Sequence, residues 1–163
     1  MQSASVEIQK EEMRQENIQQ DTIEGYPLSP QQKYLWLLQQ IDQNQPYRVQ
    51  ASVQINGQLD REKLKLALQQ VVDRHEILRT TFKRLPGLTL PLQVIGESQF
   101  SWYNELDLSD RPPQEQINQI EALFQEFGQL PFDFEQESLL RVSLVMLSAQ
   151  NHILLISLPA LCG

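Results

Sequence analysis

Apolar residues occupy alternate positions from Arg48 to Asn56, with Val49, Ala51, Val53 and Ile55 on one side and Gln50, Ser52, Gln54 and Asn56 on the other. This two-residue period predicts a strand with one apolar and one polar face. Helical spacing flanks it on both sides. Ser29, Pro30 and Gln32 supply an N-cap, a first helical residue and a capping-box partner, so a helix is predicted to start there. Tyr34, Leu35, Leu37, Leu38 and Ile41 form its expected apolar side, and Trp36 is read as core or rim rather than a cofactor platform. After the strand, Gly57 is the stop signal and Asp60 the next helix cap, with Leu59 placed to staple onto Leu64. Leu64, Ala67, Leu68, Val71 and Val72 are the stripe this second helix should lay on a sheet.

Beyond the second helix the period shortens again. Arg79 to Arg84 and Pro91 to Ile95 are predicted as a strand pair around the Pro-Gly turn of Leu85 to Leu90. Phe100 to Leu108 can add a short strand with Trp102 and Tyr103 turned inward. Pro112 and Pro113 open another helix, with Ile117, Ile120, Leu123, Phe124 and Phe127 on its buried side and Gly128 as its end signal. Leu139 to Leu147 and His152 to Leu158 are long apolar runs around a polar turn, a pattern expected of a hairpin buried on nearly both faces. With little sequence after it, that hairpin is expected to lack cover on one side and to make the isolated chain poorly behaved.

Composition narrows the classes. At 163 residues and 40% hydrophobic content, the chain is expected to hold one soluble domain, and no apolar run approaches the ~20 residues that span a bilayer. Residues 1–25 carry six acids against two bases and no wide apolar stripe, so they are expected to be a disordered or frayed acidic tail, or a docking segment, ahead of a domain over 26–163. The net charge of -8 argues against nucleic acid and anionic lipid as partners. A single cysteine and no secretory pattern fit a reducing cytoplasm. His75 and His152 stand apart from any metal-ligand spacing, so no metal site is expected.

The densest ionisable run is V-V-D-R-H-E-I-L-R-T-T-F, Val71 to Phe82. Asp73, Arg74, His75, Glu76 and Arg79 crowd a helix end, either as a partly buried charge network or as a site; for His75 the structural role weighs more. Cys162 is read as a small buried hydrophobe and His152 as a turn or edge residue. No nucleophile elbow or phosphate-binding glycine loop is present.

Three runs in order carry a family resemblance: Ser29-Pro30-Gln31-Gln32 with Leu35-Trp36, then Arg74-His75-Glu76-Ile77-Leu78-Arg79-Thr80-Thr81-Phe82, then Pro131-Phe132-Asp133-Phe134 with Leu139-Leu140-Arg141. From Tyr26 to Gly163 the chain resembles the N-terminal lobe of condensation domains from nonribosomal peptide synthetases. The resemblance implies an α/β (α+β sandwich) fold, a chloramphenicol-acetyltransferase-like lobe with helices packed on a mixed, largely antiparallel sheet. It also implies a second, C-terminal lobe and carrier-protein domains as partners. Substrates would arrive on the carriers' phosphopantetheine, with no cofactor bound by this chain itself.

Amide-forming members of that family use an H-H-x-x-x-D-G motif. At the corresponding place this chain reads Leu158-Pro159-Ala160-Leu161-Cys162-Gly163, so Pro159 occupies the catalytic His position and Gly163 the Asp position. Proline cannot exchange a proton through its side chain. The resemblance therefore implies a catalytically degenerate domain with a docking role, set against an active condensation or acyltransfer enzyme and a recruitment module for a tailoring enzyme. It also assigns Arg74, His75, Glu76, Arg79 and Asp133 to the scaffold. Arg79 would ordinarily pair with the motif Asp, so Asp73, Glu76 or Asp133 is expected to replace that carboxylate.

Overall fold

The computed structural model describes residues 24–41, 47–97, 99–136 and 138–162. The expected acidic tail lies outside them up to residue 23, as does Gly163. The capping box forms as the sequence predicts: the Gln32 amide N–H donates to Ser29 Oγ at 3.2 Å, and the Ser29 N–H donates to Gln32 Oε1 at 2.9 Å. Helix α1 runs Pro30–Ile41 from that cap, after the two-residue strand β1, Tyr26–Pro27. Strand β2 spans Arg48–Asn56, and helix α2 spans Arg61–Arg74 with Asp60 accepting from the Lys63 N–H at 3.1 Å. That bond and the Lys63 ammonium hold the exposed Asp60 carboxyl below its usual range.

A 3-10 turn, Glu76–Arg79, leads into β3, Thr80–Lys83, which pairs with β4, Leu92–Ile95; β1 adds to β4 to give a three-stranded sheet. Strand β5, Asn104–Asp107, helix α3, Pro113–Gln129, and the hairpin β6, Arg141–Ser148, with β7, Asn151–Pro159, follow. The second sheet has the order β2-β7-β6-β5. Its β5–β6 pair is parallel and the others are antiparallel, so the sheet is mixed and largely antiparallel. The parallel pair requires a crossover, which α3 provides.

Strand alternation sends β6 and β7 side chains to two faces. On one, Val142, Leu144, Leu154 and Ile156 meet Leu64, Leu68 and Val72 of α2, with Phe100 and Trp102 at the flank. Against the other lies α3, whose last carbonyls are taken by side chains of the sheet. Arg48 donates to the Phe127 and Leu130 carbonyls, the latter at 2.6 Å, and Gln50 donates to the Phe124 carbonyl at 3.1 Å. Arg141 donates to the Leu130 and Pro131 carbonyls at 3.2 and 2.6 Å. Both guanidiniums stack on Phe132, 5.0 Å from its centroid for Arg48 and 4.1 Å for Arg141. Burial, then the charge of Arg141, lowers the Arg48 pKa.

The structure corrects several expectations. On α1 the inward side is Leu35 and Trp36, while Tyr34, Leu37 and Ile41 are exposed. On β2 neither side is packed along its length: Arg48 and Gln50 are half-buried under α3 while Ser52, Gln54 and Asn56 are exposed. Of its apolar side only Ile55 reaches the α2 cluster, while Val49, Ala51 and Val53 are exposed. Gly128 is a packing residue inside α3 rather than its stop, because a Cβ there would sit 3.1 Å from Gln50 Oε1. Tyr103 is half exposed although it stacks edge-on against Phe127. Arg79 belongs to the 3-10 turn, not to the strand after it. The terminal hairpin does not lack cover: Arg141–Val145 are all buried, and the uncovered apolar surface lies on β2 instead. His152 is buried within β7 between Ile55 and Met146, not at a turn or exposed edge. Among the described residues no helix is long and apolar enough to cross a membrane.

Replacing Arg48 by Met removes two charged hydrogen bonds to α3 while keeping the aliphatic stem. Thermal unfolding followed by circular dichroism is expected to show a loss of about 2 kcal/mol, a Tm drop of about 4–8 °C. Arg48→Lys should recover less than half of it, since an ammonium neither forks nor stacks.

Candidate functional site

The ionisable stretch after α2 does not converge on a cavity. Arg74, His75 and Glu76 are exposed, and the His75 backbone N–H closes the helix on the Val71 carbonyl at 3.0 Å. Arg79 is the partly buried member. It donates to the Gly96 carbonyl at 2.9 Å and stands 3.6 Å from Glu76 Oε1. Of the three candidate carboxylates, Glu76 is therefore the one it meets, in a half-exposed pair whose Coulomb contribution is small. Asp133 is exposed and accepts from the Glu135 N–H at 3.0 Å, in a local turn. Arg79 also borders a half-open cleft of about 380 Å³ with Leu78, Thr81, Gly96, Gln136 and Ser138.

The same motifs do converge, through their aromatic residues. Trp36 of α1, Phe82 of β3 and Phe134 lie 5.7 to 6.2 Å apart between ring centroids, and Phe132 is 6.3 Å from Phe134. Leu28, Leu139 and Leu161 complete the cluster. A backbone bond from the Phe82 N–H to the Phe134 carbonyl, 2.7 Å, ties the second motif to the third. The runs that stand out in sequence thus meet in the core of the lobe. The sequence places Arg141 in the third motif and Arg48 at the start of a strand, but no spacing brings the two together at the end of α3; the available signal is a charged Arg141 opening an otherwise uncharged strand.

Leu158 and Pro159 end β7, and Ala160–Cys162 form a 3-10 turn after it. Pro159 is fully buried and pairs in register with Arg48. The Ala160 N–H donates to the Tyr47 carbonyl at 2.9 Å, and the Leu161 carbonyl accepts from Gln32 Nε2 at 3.3 Å. Cys162 packs against the aromatic cluster, where burial pushes its thiol from 9.0 up to about 12. No thiolate is available there at neutral pH. His152 is enclosed on the α2 side of the sheet, and its Nδ1 has no hydrogen-bond partner among the described residues.

The raised Cys162 pKa has a definite sign. The neutral thiol suits the fold, so its contribution is fully present below about pH 9 and is lost as pH rises toward about 12. Native chain is expected to resist a thiol reagent at about pH 8 and to react fully in denaturant. The urea midpoint should fall between about pH 8 and about pH 10, and Cys162→Ala should remove that part of the fall.

The family described as Condensation domain matches residues 22–158. Surfactin synthase subunit 2 of Bacillus subtilis (strain 168) is 32% identical over 151 residues, covering 91% of this chain and 4% of that protein. Bacitracin synthase 2 of Bacillus licheniformis is 34% identical over 152 residues, covering 92% and 5%. Among solved structures, a double mutant of the starter condensation domain of rhizomide synthetase in a product-released conformation superposes with TM-score 0.73 at 25% identity, over 84% of this chain and 31% of that one. The first condensation domain of the calcium-dependent antibiotic synthetase superposes with TM-score 0.72 at 21% identity, over 83% and 32%, a likeness of fold alone. The chain thus spans about a third of those solved chains and a small fraction of the curated synthases.

Proposed function

The chain belongs to the condensation-domain family, and on that premise we propose that it is the N-terminal lobe of a condensation domain that has lost amide-bond chemistry and retains a docking role in peptide natural-product assembly. In this reading its partners are carrier-protein domains and a C-terminal lobe. The carriers bring substrate on phosphopantetheine, the chain binds no cofactor of its own, and the assembly is cytoplasmic.

One observation carries the reading. Where the family's chemistry needs a proton-accepting histidine, this chain has Pro159, buried and locked in register opposite Arg48. Neighbouring Cys162 holds its proton far above neutral pH. Arg74, His75 and Glu76 lie on the surface where α2 ends, and Arg79 is held by Gly96 and Glu76. A general base contributes roughly 10²- to 10⁴-fold in rate, and neither a proline side chain nor a neutral, buried thiol supplies one at the end of β7.

The test uses this chain continued through a second lobe and supplied with two loaded carrier proteins. We expect saturable carrier binding in calorimetry and no amide product above the carrier-only background. Robust amide formation would overturn the loss of chemistry. Capture of a purified tailoring enzyme without carrier binding would overturn carrier docking and favour a recruitment module.

A further inference from the structure

Two side-chain amides join parts of the lobe that lie far apart in sequence. Gln32 Oε1 accepts from the Ser29 N–H at 2.9 Å, as the cap of α1 requires. The other end of that amide is turned away from the cap. Gln32 Nε2 donates to Gln93 Oε1 of β4 at 2.9 Å and to the Leu161 carbonyl, in the turn after β7, at 3.3 Å. Gln93 Nε2 donates in turn to the Pro27 carbonyl of β1 at 3.1 Å. The partners fix which way both amides point. The Pro27 carbonyl can only accept, so Gln93 offers its oxygen to Gln32; the Ser29 N–H can only donate, so Gln32 turns its nitrogen outward.

The cap by itself asks only for the oxygen. A glutamate at position 32 would satisfy it equally well and would add a favourable charge at the positive end of the helix. The nitrogen of Gln32 answers to a different demand, the turn Ala160–Cys162. That turn is held from two sides, by Gln32 on the Leu161 carbonyl and by the Ala160 N–H on the Tyr47 carbonyl at 2.9 Å. The Leu161 side chain is fully buried in the same apolar cluster to which α1 contributes Trp36 and Leu35.

We infer that Gln32 is the positioning residue of the turn Ala160–Cys162, coupling the place of α1 to the conformation of the chain where β7 ends. The coupling runs through one nitrogen. A displacement of α1 that breaks the bond to Leu161 deprives a half-buried carbonyl of its donor, and the turn opens with Cys162 on it. A turn drawn away from the helix releases the same nitrogen and leaves the Ser29 cap intact. The first helix and the final turn of the lobe thus move as one unit.

Cys162 reports on that turn, so thiol labelling of the 163-residue chain at about pH 8 tests the inference. Gln32→Glu keeps the capping oxygen and removes both donated bonds. It is expected to speed labelling about tenfold, at a rate independent of urea below the unfolding transition, as a local opening requires. Ser29→Ala weakens the cap and keeps the donor. It should lower the urea midpoint and leave the labelling rate of the parent chain unchanged. Equal labelling in the two variants overturns the coupling and leaves Gln32 a capping residue only. Faster labelling of Gln32→Glu that rises with urea as global unfolding does overturns it as well.

Discussion

The lobe hangs on the last turn of α3. A helix ends with carbonyls that have no partner in the helix, and here the sheet supplies those partners. Arg48 and Gln50 come from β2, and Arg141 comes from β6. Two guanidiniums so close repel one another, and burial penalises both. The arrangement holds because each fork ends on carbonyl oxygens at the negative end of a helix, and because Phe132 presents its faces to both cations. Gly128 lets the helix approach closely enough for Gln50 to reach it. Each arginine thus ties the end of α3 and the turn after it to the strand that carries it, β2 or β6.

From that anchor the motif residues take their places. The segment carrying Phe132 and Phe134 leaves α3 and runs beside β3, where Phe82 and Trp36 close over it. The charged side chains of the densest ionisable stretch are pushed to the rim by this packing, and its Val72 and Phe82 are the parts that enter the core. Family signature and reactive site are therefore different things in this chain. The signature records how two sheets and a helix are joined.

Local rules were legible and long-range ones were not. The capping box at Ser29 and Gln32, the Asp60 cap and the limits of β2 depend on neighbours within a few residues, and the structure has them as the pattern predicts. Which face packs depends on what arrives from elsewhere. Helix α1 carries apolar residues on opposite sides, so its period could not show that Trp36, rather than Tyr34, Leu37 and Ile41, meets the core. On β2 the pattern pointed to the valines, yet Gln50 and Arg48 face the helix because its free carbonyls need donors. Of the residues set out as a site, Arg79 and Glu76 meet, while Arg74, His75 and Asp133 stay apart on the surface. No spacing rule announces a bond between an arginine and a carbonyl about eighty residues away.

The pairing of β2 with β7 also constrains how the chain acquires its shape. Arg48 lies opposite Pro159, and the two strands are roughly a hundred residues apart in sequence. During synthesis β2 emerges well before β7 and has no partner in the sheet until roughly a hundred further residues have followed it. Helices α1 and α2 can form from local contacts meanwhile, but the large sheet closes only when its last strand is complete. The slow step of folding is then the return of β7 to β2, and in the interval a nine-residue strand whose one charge is Arg48 is open on both edges to any other nascent chain.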